Sequence, residues 1–157
     1  MGVMFSGNLR FLSNFHVEPF SFDAWELGAG EMACRTAASG EHAFNALKTA
    51  DVDQQAWVLA APTPLEAKRR GRRVALRPDW DTGGRVLAMQ VVLRGKFRPG
   101  SRLAELLVQT GTLRLVETNY WHDQFWGDCY CPRHSGTPGV NMLGELLMSR
   151  RARIASN

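Results

Sequence analysis

From Glu41 onward the apolar positions recur at helical spacing. Phe44 and Leu47, followed by Lys48, predict a helix over 40–50. Asp51 or Asp53 is placed to cap a second helix that runs to about Ala61. Pro62-Thr63-Pro64 stops it. Thr63 then caps a third helix, with Pro64 at its first position and Glu66 at capping-box spacing, ending near Gly71. Val86, Met89, Leu93 and Phe97 form the apolar stripe of the longest helix, which runs to about Lys96 and is weakened at its start by Gly83-Gly84. Pro99-Gly100 ends it. Ser101 caps an amphipathic helix over 102–110, and Gly111 suits its C-terminus. The last helix runs from Asn141 to about Ile154. It turns Leu143, Leu146 and Leu147 inward and carries Arg150, Arg151 and Arg153 near its C-terminus, where they complement the helix dipole.

The β signal is weaker. Residues 5–30 read as irregular chain with short strands near 9–12 and 19–25. The small, turn-prone stretch 28–40 predicts a loop. Leu113, Leu115 and Glu117 alternate with Arg114, Val116 and Thr118, which favours a strand, and 119–139 is an aromatic, Gly- and Pro-rich loop. The pattern predicts a mainly α fold with small β elements, a single domain over 1–157.

Composition narrows the class. With 157 residues, 45% hydrophobic and 22% charged, the chain is an ordinary globular domain, neither low-complexity nor a disulfide scaffold. No apolar run reaches the roughly 18 residues that span a bilayer. The start MGVMFSGNLRFL has no basic region followed by an apolar stretch, so a cytoplasmic location without membrane attachment is expected. Three Cys cannot pair completely, and free thiols are expected. The formal net charge is +4, and all but three of the 19 basic residues are Arg, the exceptions being Lys48, Lys68 and Lys96. Planar guanidinium donors suit phosphate, so an anionic partner is expected.

Candidate chemistry concentrates in three places. Leu12-Ser13-Asn14-Phe15 is the first. In the second, Glu41, Asn45 and Lys48 fall at i, i+4 and i+7 on one helix face, with Phe44 beside it and His42 nearly opposite Asn45. The bland alternative is a solvated polar stripe. The third is Asp123-x-Phe125-Trp126-Gly127-Asp128, beside Tyr120 and Trp121, which would otherwise be aromatic plugs at the edge of a core. Cys129-x-Cys131-x-x-His134, with His122 upstream, offers soft ligands. The lone, tight cluster lacks paired C-x-x-C spacing, so no metal is expected. Arg69-Arg70-x-Arg72-Arg73 reads as a solvated or phosphate-facing surface without interleaved stacking aromatics. P-loop, dinucleotide-binding and nucleophile-elbow motifs are absent.

Taken in order, seven short motifs resemble the NADAR (YbiA-like) family. They are Leu12-Ser13-Asn14-Phe15; Glu41-His42-x-Phe44-Asn45-x-x-Lys48; Ala67-Lys68-x-x-Gly71-Arg72; Arg77-x-Asp79-Trp80; Leu93-Arg94-x-Lys96-Phe97; Asp123-x-Phe125-Trp126-Gly127; and Asn141-x-Leu143-Gly144-x-Leu146-Leu147-Met148. The resemblance implies a mainly α-helical YbiA-like domain. It also implies hydrolysis of N-glycosidic bonds at ribose, in early riboflavin-pathway intermediates or in ADP-ribosylated guanine. It marks Glu41, Trp80 and Asp123 as catalytic and singles out Lys48 as the lysine following the Glu-His pair. The chain departs from the family pattern at Gly40, where Ser or Thr is usual, at Asn45 for Gln, at Ala43, and at Met142 for Arg, changes that bear on substrate choice.

Cleaving such a bond passes through an oxocarbenium-like state that needs a positioned water and nearby negative charge. Glu41 and Asp123 meeting across one sugar-sized hollow would supply both, with either acid activating water. Trp80 and Trp126 would stack on base or ribose, and Gly127 would admit the sugar. Ser13, Asn14, Phe15, His42, Phe44, Asn45, Phe125 and Asn141 would complete the wall, with Arg72 and Arg77 on phosphate. A desolvated Lys48 forming a Schiff base with ring-opened ribose is a secondary route. No cofactor is expected. The basic surface slightly favours ADP-ribosylated DNA or RNA over a small ribosylamino-pyrimidine phosphate, and a non-catalytic ADP-ribose-binding module is the alternative of another class.

Overall fold

The computed structural model describes residues 4–24 and 34–156. They form two compact units, one of Asn14–Arg98 and the other joining the chain up to Ser13 with the chain from Pro99 onward. The architecture is mainly α with two small two-stranded sheets among the described residues.

In the Asn14–Arg98 unit, β1 (Val17–Asp23) pairs antiparallel with β2 (Cys34–Ser39), with a register irregularity between Val17 and Phe20. The loop expected over 28–40 is therefore a strand from Cys34 on; residues 25–33 lie outside the described chain. Arg35, Ala37 and Ser39 point inward. The period of two is present, but an Arg, an Ala and a Ser carry it, so hydropathy does not reveal it.

Helix α1 (Gly40–Ala46) follows without a linker, and its helical turns stop short of residue 50. Helix α2 (Val52–Leu59) starts at Asp51, whose carboxylate accepts from the Gln54 N–H. Helix α3 (Pro64–Gly71) starts at Thr63, whose hydroxyl accepts from the Glu66 N–H. These three helices share a core of Ala46, Val58, Ala61, Ala67 and Val74. Small residues dominate it, so the helix backbones come close. Helix α4 (Gly84–Lys96) packs on β1 and α1, burying Met89, Val92 and Leu93. Truncating a buried Leu there costs about 2–5 kcal/mol.

The other unit opens with a 3-10 helix, Gly7–Leu12, where a strand near 9–12 is expected. Phe11 and Leu12 are both buried, and adjacent residues of a strand would face opposite sides. Helix α5 (Arg102–Gln109) starts at Ser101 and packs on α6 (Met142–Ala155) through a core that includes Leu103, Leu107, Leu143 and Leu147. The strand expected near 113–118 shrinks to β3 (Thr118–Asn119), because Leu115 and Val116 are both buried and break the alternation. Its partner is β4 (Asp128–Cys129), parallel to it and inside the stretch that reads as loop.

Candidate functional site

The Asn14–Arg98 unit gathers an acid, two lysines and three aromatic rings around the start of α1. Ser39 makes the start: its hydroxyl accepts from the His42 N–H at 3.3 Å. The cap serine thus lies one residue before the position where the family pattern places Ser or Thr. Gly40 occupies that position because a Cβ there would meet the Asn14 side-chain oxygen at 2.5 Å. The Glu41 N–H donates to the Asn14 carbonyl at 2.8 Å, which ties the acid's backbone to the chain before β1.

Glu41 is 8% exposed, so its carboxyl is almost wholly withdrawn from water. Burial pushes its pKa above the ordinary 4.5. Lys68, a hydrogen bond from Asn45, Lys48 and His42 pull the other way without cancelling that push. Asn45 Nδ2 donates to both the Glu41 carbonyl (2.8 Å) and Glu41 Oε1 (3.0 Å), which locks the carboxyl's rotamer. Lys48 lies in the turn after α1. Burial lowers its pKa below 10.5, the Glu41 charge raises it, and the Lys68 and Arg72 charges lower it further.

The rings complete the surround. Phe44 and Trp80 pack at 5.3 Å between centroids with a 50° tilt. Lys48 Nζ stands 5.8 Å from the Phe44 centroid, and Lys68 Nζ stands 5.5 Å from that of Phe15, which is exposed. Glu41, Lys48, Phe15, Phe44, Asn45 and Trp80 are thus assembled in one unit. Lys68 joins them, although the sequence places it only in a family motif ahead of the Arg69–Arg73 run and gives it no role in the site. Ala67 and Gly71, buried four residues apart on α3, mark the side turned to α1, and Lys68 is the next residue round.

Several expected contact residues have other work. His42 is 1% exposed, and both ring nitrogens are engaged, Nδ1 with the Ser39 hydroxyl (2.8 Å) and Nε2 with the Ala61 carbonyl (2.9 Å). It joins α1 to the end of α2 and is not free to touch substrate. Asn14 is buried, and its Nδ2 donates to the Met89 sulfur. Asn45 is 0% exposed and orients Glu41 rather than a ligand. Arg77 grips Asp79 with two bonds of 3.1 Å, and its carbonyl accepts from the Trp80 N–H, so it shapes the turn that presents Trp80. Arg72 is exposed near Lys48 and remains suited to phosphate.

The second unit holds the remaining candidates. Ser13 closes the 3-10 helix, with its N–H on the Arg10 carbonyl. Asp123 Oδ1 accepts from the N–H groups of Phe125 (3.1 Å) and Trp126 (2.8 Å), while Asn119 clasps the Asp123 backbone from both sides. One carboxylate oxygen therefore builds the turn that presents Phe125 and Trp126, which meet edge to face at 4.9 Å. Gly127 is needed for close approach to its own unit's backbone, because a Cβ would collide with the Glu117 carbonyl. Asn141 is likewise internal. It starts α6 at φ 53°, accepts from the Glu117 N–H and donates to the Leu115 carbonyl.

The unit thus brings together a buried acid locked by an amide, two lysines and a tilted pair of aromatic rings. The NADAR domain model matches residues 5–155, and the chain belongs to the NADAR family. It is similar to a riboflavin biosynthesis protein of Vibrio vulnificus, 36% identical over 115 residues, which cover 72% of this chain and 29% of that protein. The chain thus spans under a third of that relative's length. The NMR structure of the Escherichia coli protein YbiA matches with a TM-score of 0.76 at 29% identity, covering 98% of this chain and 84% of YbiA. Among the described residues no helix is long and apolar enough to cross a membrane.

Proposed function

We propose that the chain is an N-glycosidase that hydrolyses the bond between a ribose anomeric carbon and a nitrogen base. The observation that carries this reading is Glu41, a carboxyl buried and locked by Asn45 next to Lys48 and Lys68. A carboxyl with a raised pKa can take a proton from water near neutrality, and as carboxylate it stabilises the cation developing at the anomeric carbon. Lys48, Lys68 and Arg72 supply positive charge for a phosphate of the substrate. Trp80 and Phe44 offer an aromatic surface for base or ribose, and Phe15 a second one.

The site's scale and the kinship support one substrate class ahead of another. Two lysines and one arginine suit one or two phosphates, and the Vibrio relative is named for riboflavin biosynthesis, which favours a ribosylamino-pyrimidine phosphate. ADP-ribose on guanine in DNA or RNA is the second reading, favoured by the Arg-rich exposed end of α3. Incubating the protein separately with the two substrates and measuring released sugar phosphate tests both. Release from the pyrimidine compound supports the first reading, and release from the ADP-ribosylated oligonucleotide alone supports the second. Tight binding of ADP-ribose with no product from either would replace the enzyme by a binding module.

A further inference from the structure

The Pro99–Asn157 segment holds a side-chain cluster outside this chemistry. His122, Cys129, Cys131 and His134 each direct one ligand atom into a common space, all four within 4.8 Å of one another. Cys131 Sγ is 3.2 Å from His122 Nδ1 and 3.3 Å from His134 Nδ1. The two imidazoles meet edge to face at 5.3 Å. Both sulfurs are buried, and neither is in a disulfide.

We propose that these four side chains form a closed, tetrahedral Cys2His2 site for a structural divalent transition-metal ion, zinc by ligand type. With Zn–S near 2.3 Å and Zn–N near 2.0–2.1 Å, tetrahedral geometry puts ligand atoms roughly 3.3–3.8 Å apart. The two Cys131 distances are close to that range and the remaining pairs lie within 4.8 Å, so modest side-chain rotations complete the tetrahedron. A neutral thiol has one hydrogen to share between the two ring nitrogens facing Cys131 Sγ, whereas a thiolate bound to metal needs none. Two thiolates balance the ion's charge, and the soft donors select zinc over magnesium or calcium.

The local fold explains how a spacing that looks wrong for zinc becomes right. Cys131 is the residue from which the 3-10 turn Pro132–His134 starts. Residues three apart in such a turn eclipse, so Cys131 and His134 face the same way. The Cys129 N–H is held by Gln124 Oε1 at 2.8 Å, and the Tyr130 N–H by the Asn119 carbonyl at 2.8 Å, which fixes the strand between the two sulfurs. His122 has φ 71°, a left-handed conformation unusual for a side chain with a Cβ, and so comes back onto that strand from seven residues upstream of Cys129. Four protein ligands leave no open position, so the ion staples the loop next to Asp123 rather than activating water.

The test uses the full chain purified without a metal-binding tag. Elemental analysis should find one zinc per chain, reduced to background in Cys129→Ser/Cys131→Ser. Cobalt(II) loaded into the metal-stripped protein should give sulfur-to-cobalt charge-transfer bands and the intense visible bands of tetrahedral coordination. If the double variant does not fold, His134→Ala supplies the second reading: it should keep the charge-transfer bands and alter the visible ones. The proposal is overturned if the folded wild-type chain takes up no stoichiometric zinc. It is equally overturned if its cobalt form shows only weak octahedral bands or if the variants bind as much metal as wild type.

Discussion

At the residue scale, burial sets the acid–base behaviour of Glu41. Its raised pKa gives two consequences of defined sign. In the rate profile, the acidic limb set by Glu41 ionisation should lie above the ordinary 4.5, because the carboxylate is the active form. In folding, a raised acid pKa means that the unfolded chain releases its proton first. Stability associated with this group is full below the unfolded-state pKa and declines as pH rises through the folded-state value. Glu41→Gln removes that decline while leaving an oxygen to accept from Asn45. Thermal denaturation at neutral pH should therefore show the variant at least as stable as wild type. In the proposed function Lys48 acts as a charge. Lys48→Arg should keep activity within about tenfold, and borohydride should trap no sugar adduct; an adduct on Lys48 would instead make the lysine a covalent catalyst.

At the element scale the site depends on how closely α3 approaches α1. A Cβ on Gly71 would stand 2.6 Å from the Asn45 Cβ and Cγ, so Gly71→Ala must push Asn45 off its place. Overpacking of this kind costs about 1–3 kcal/mol, measurable by urea denaturation, and kcat should fall more than KM rises because Asn45 aims Glu41. The same scale shows what the amino-acid sequence reveals. Asp51, Thr63 and Ser101 are legible as helix caps because capping is local, settled within four residues. The Glu41 and Asn45 pair is legible because one turn of helix brings i and i+4 together, and Lys48 follows in the turn after α1. Strand β2 is hidden because its inward side is polar and small. The part played by Lys68 and the engagement of His42 with the Ala61 carbonyl are hidden because each depends on contacts between segments distant in sequence, whereas the soft ligands His122, Cys129, Cys131 and His134 are visible in the sequence and only their convergence is not. The resemblance to the NADAR family reaches these positions only as names in motifs, without saying which touch substrate and which hold the frame.

At the scale of the whole molecule, charge separates the two substrate readings. The chain carries +4, largely as Arg. A nucleic-acid substrate held through 6–10 phosphates would lose about 10³–10⁵ in affinity between roughly 50 and 200 mM salt, whereas a small phosphorylated riboside engages one or two charges. The first reading predicts only a several-fold fall in kcat/KM across that range, and a loss of orders of magnitude would move the assignment to nucleic acid. The metal staple adds a second global property: exhaustive chelation should lower the thermal midpoint of the wild-type chain and leave Cys129→Ser/Cys131→Ser unmoved. The most direct measurement compares wild type with Glu41→Gln in steady-state release of ribose phosphate from the ribosylamino-pyrimidine phosphate, with folding of both checked by circular dichroism. With Glu41 as the group that activates water, the folded variant is slowed by at least about 10²-fold. Turnover by folded Glu41→Gln at the wild-type rate would contradict that role.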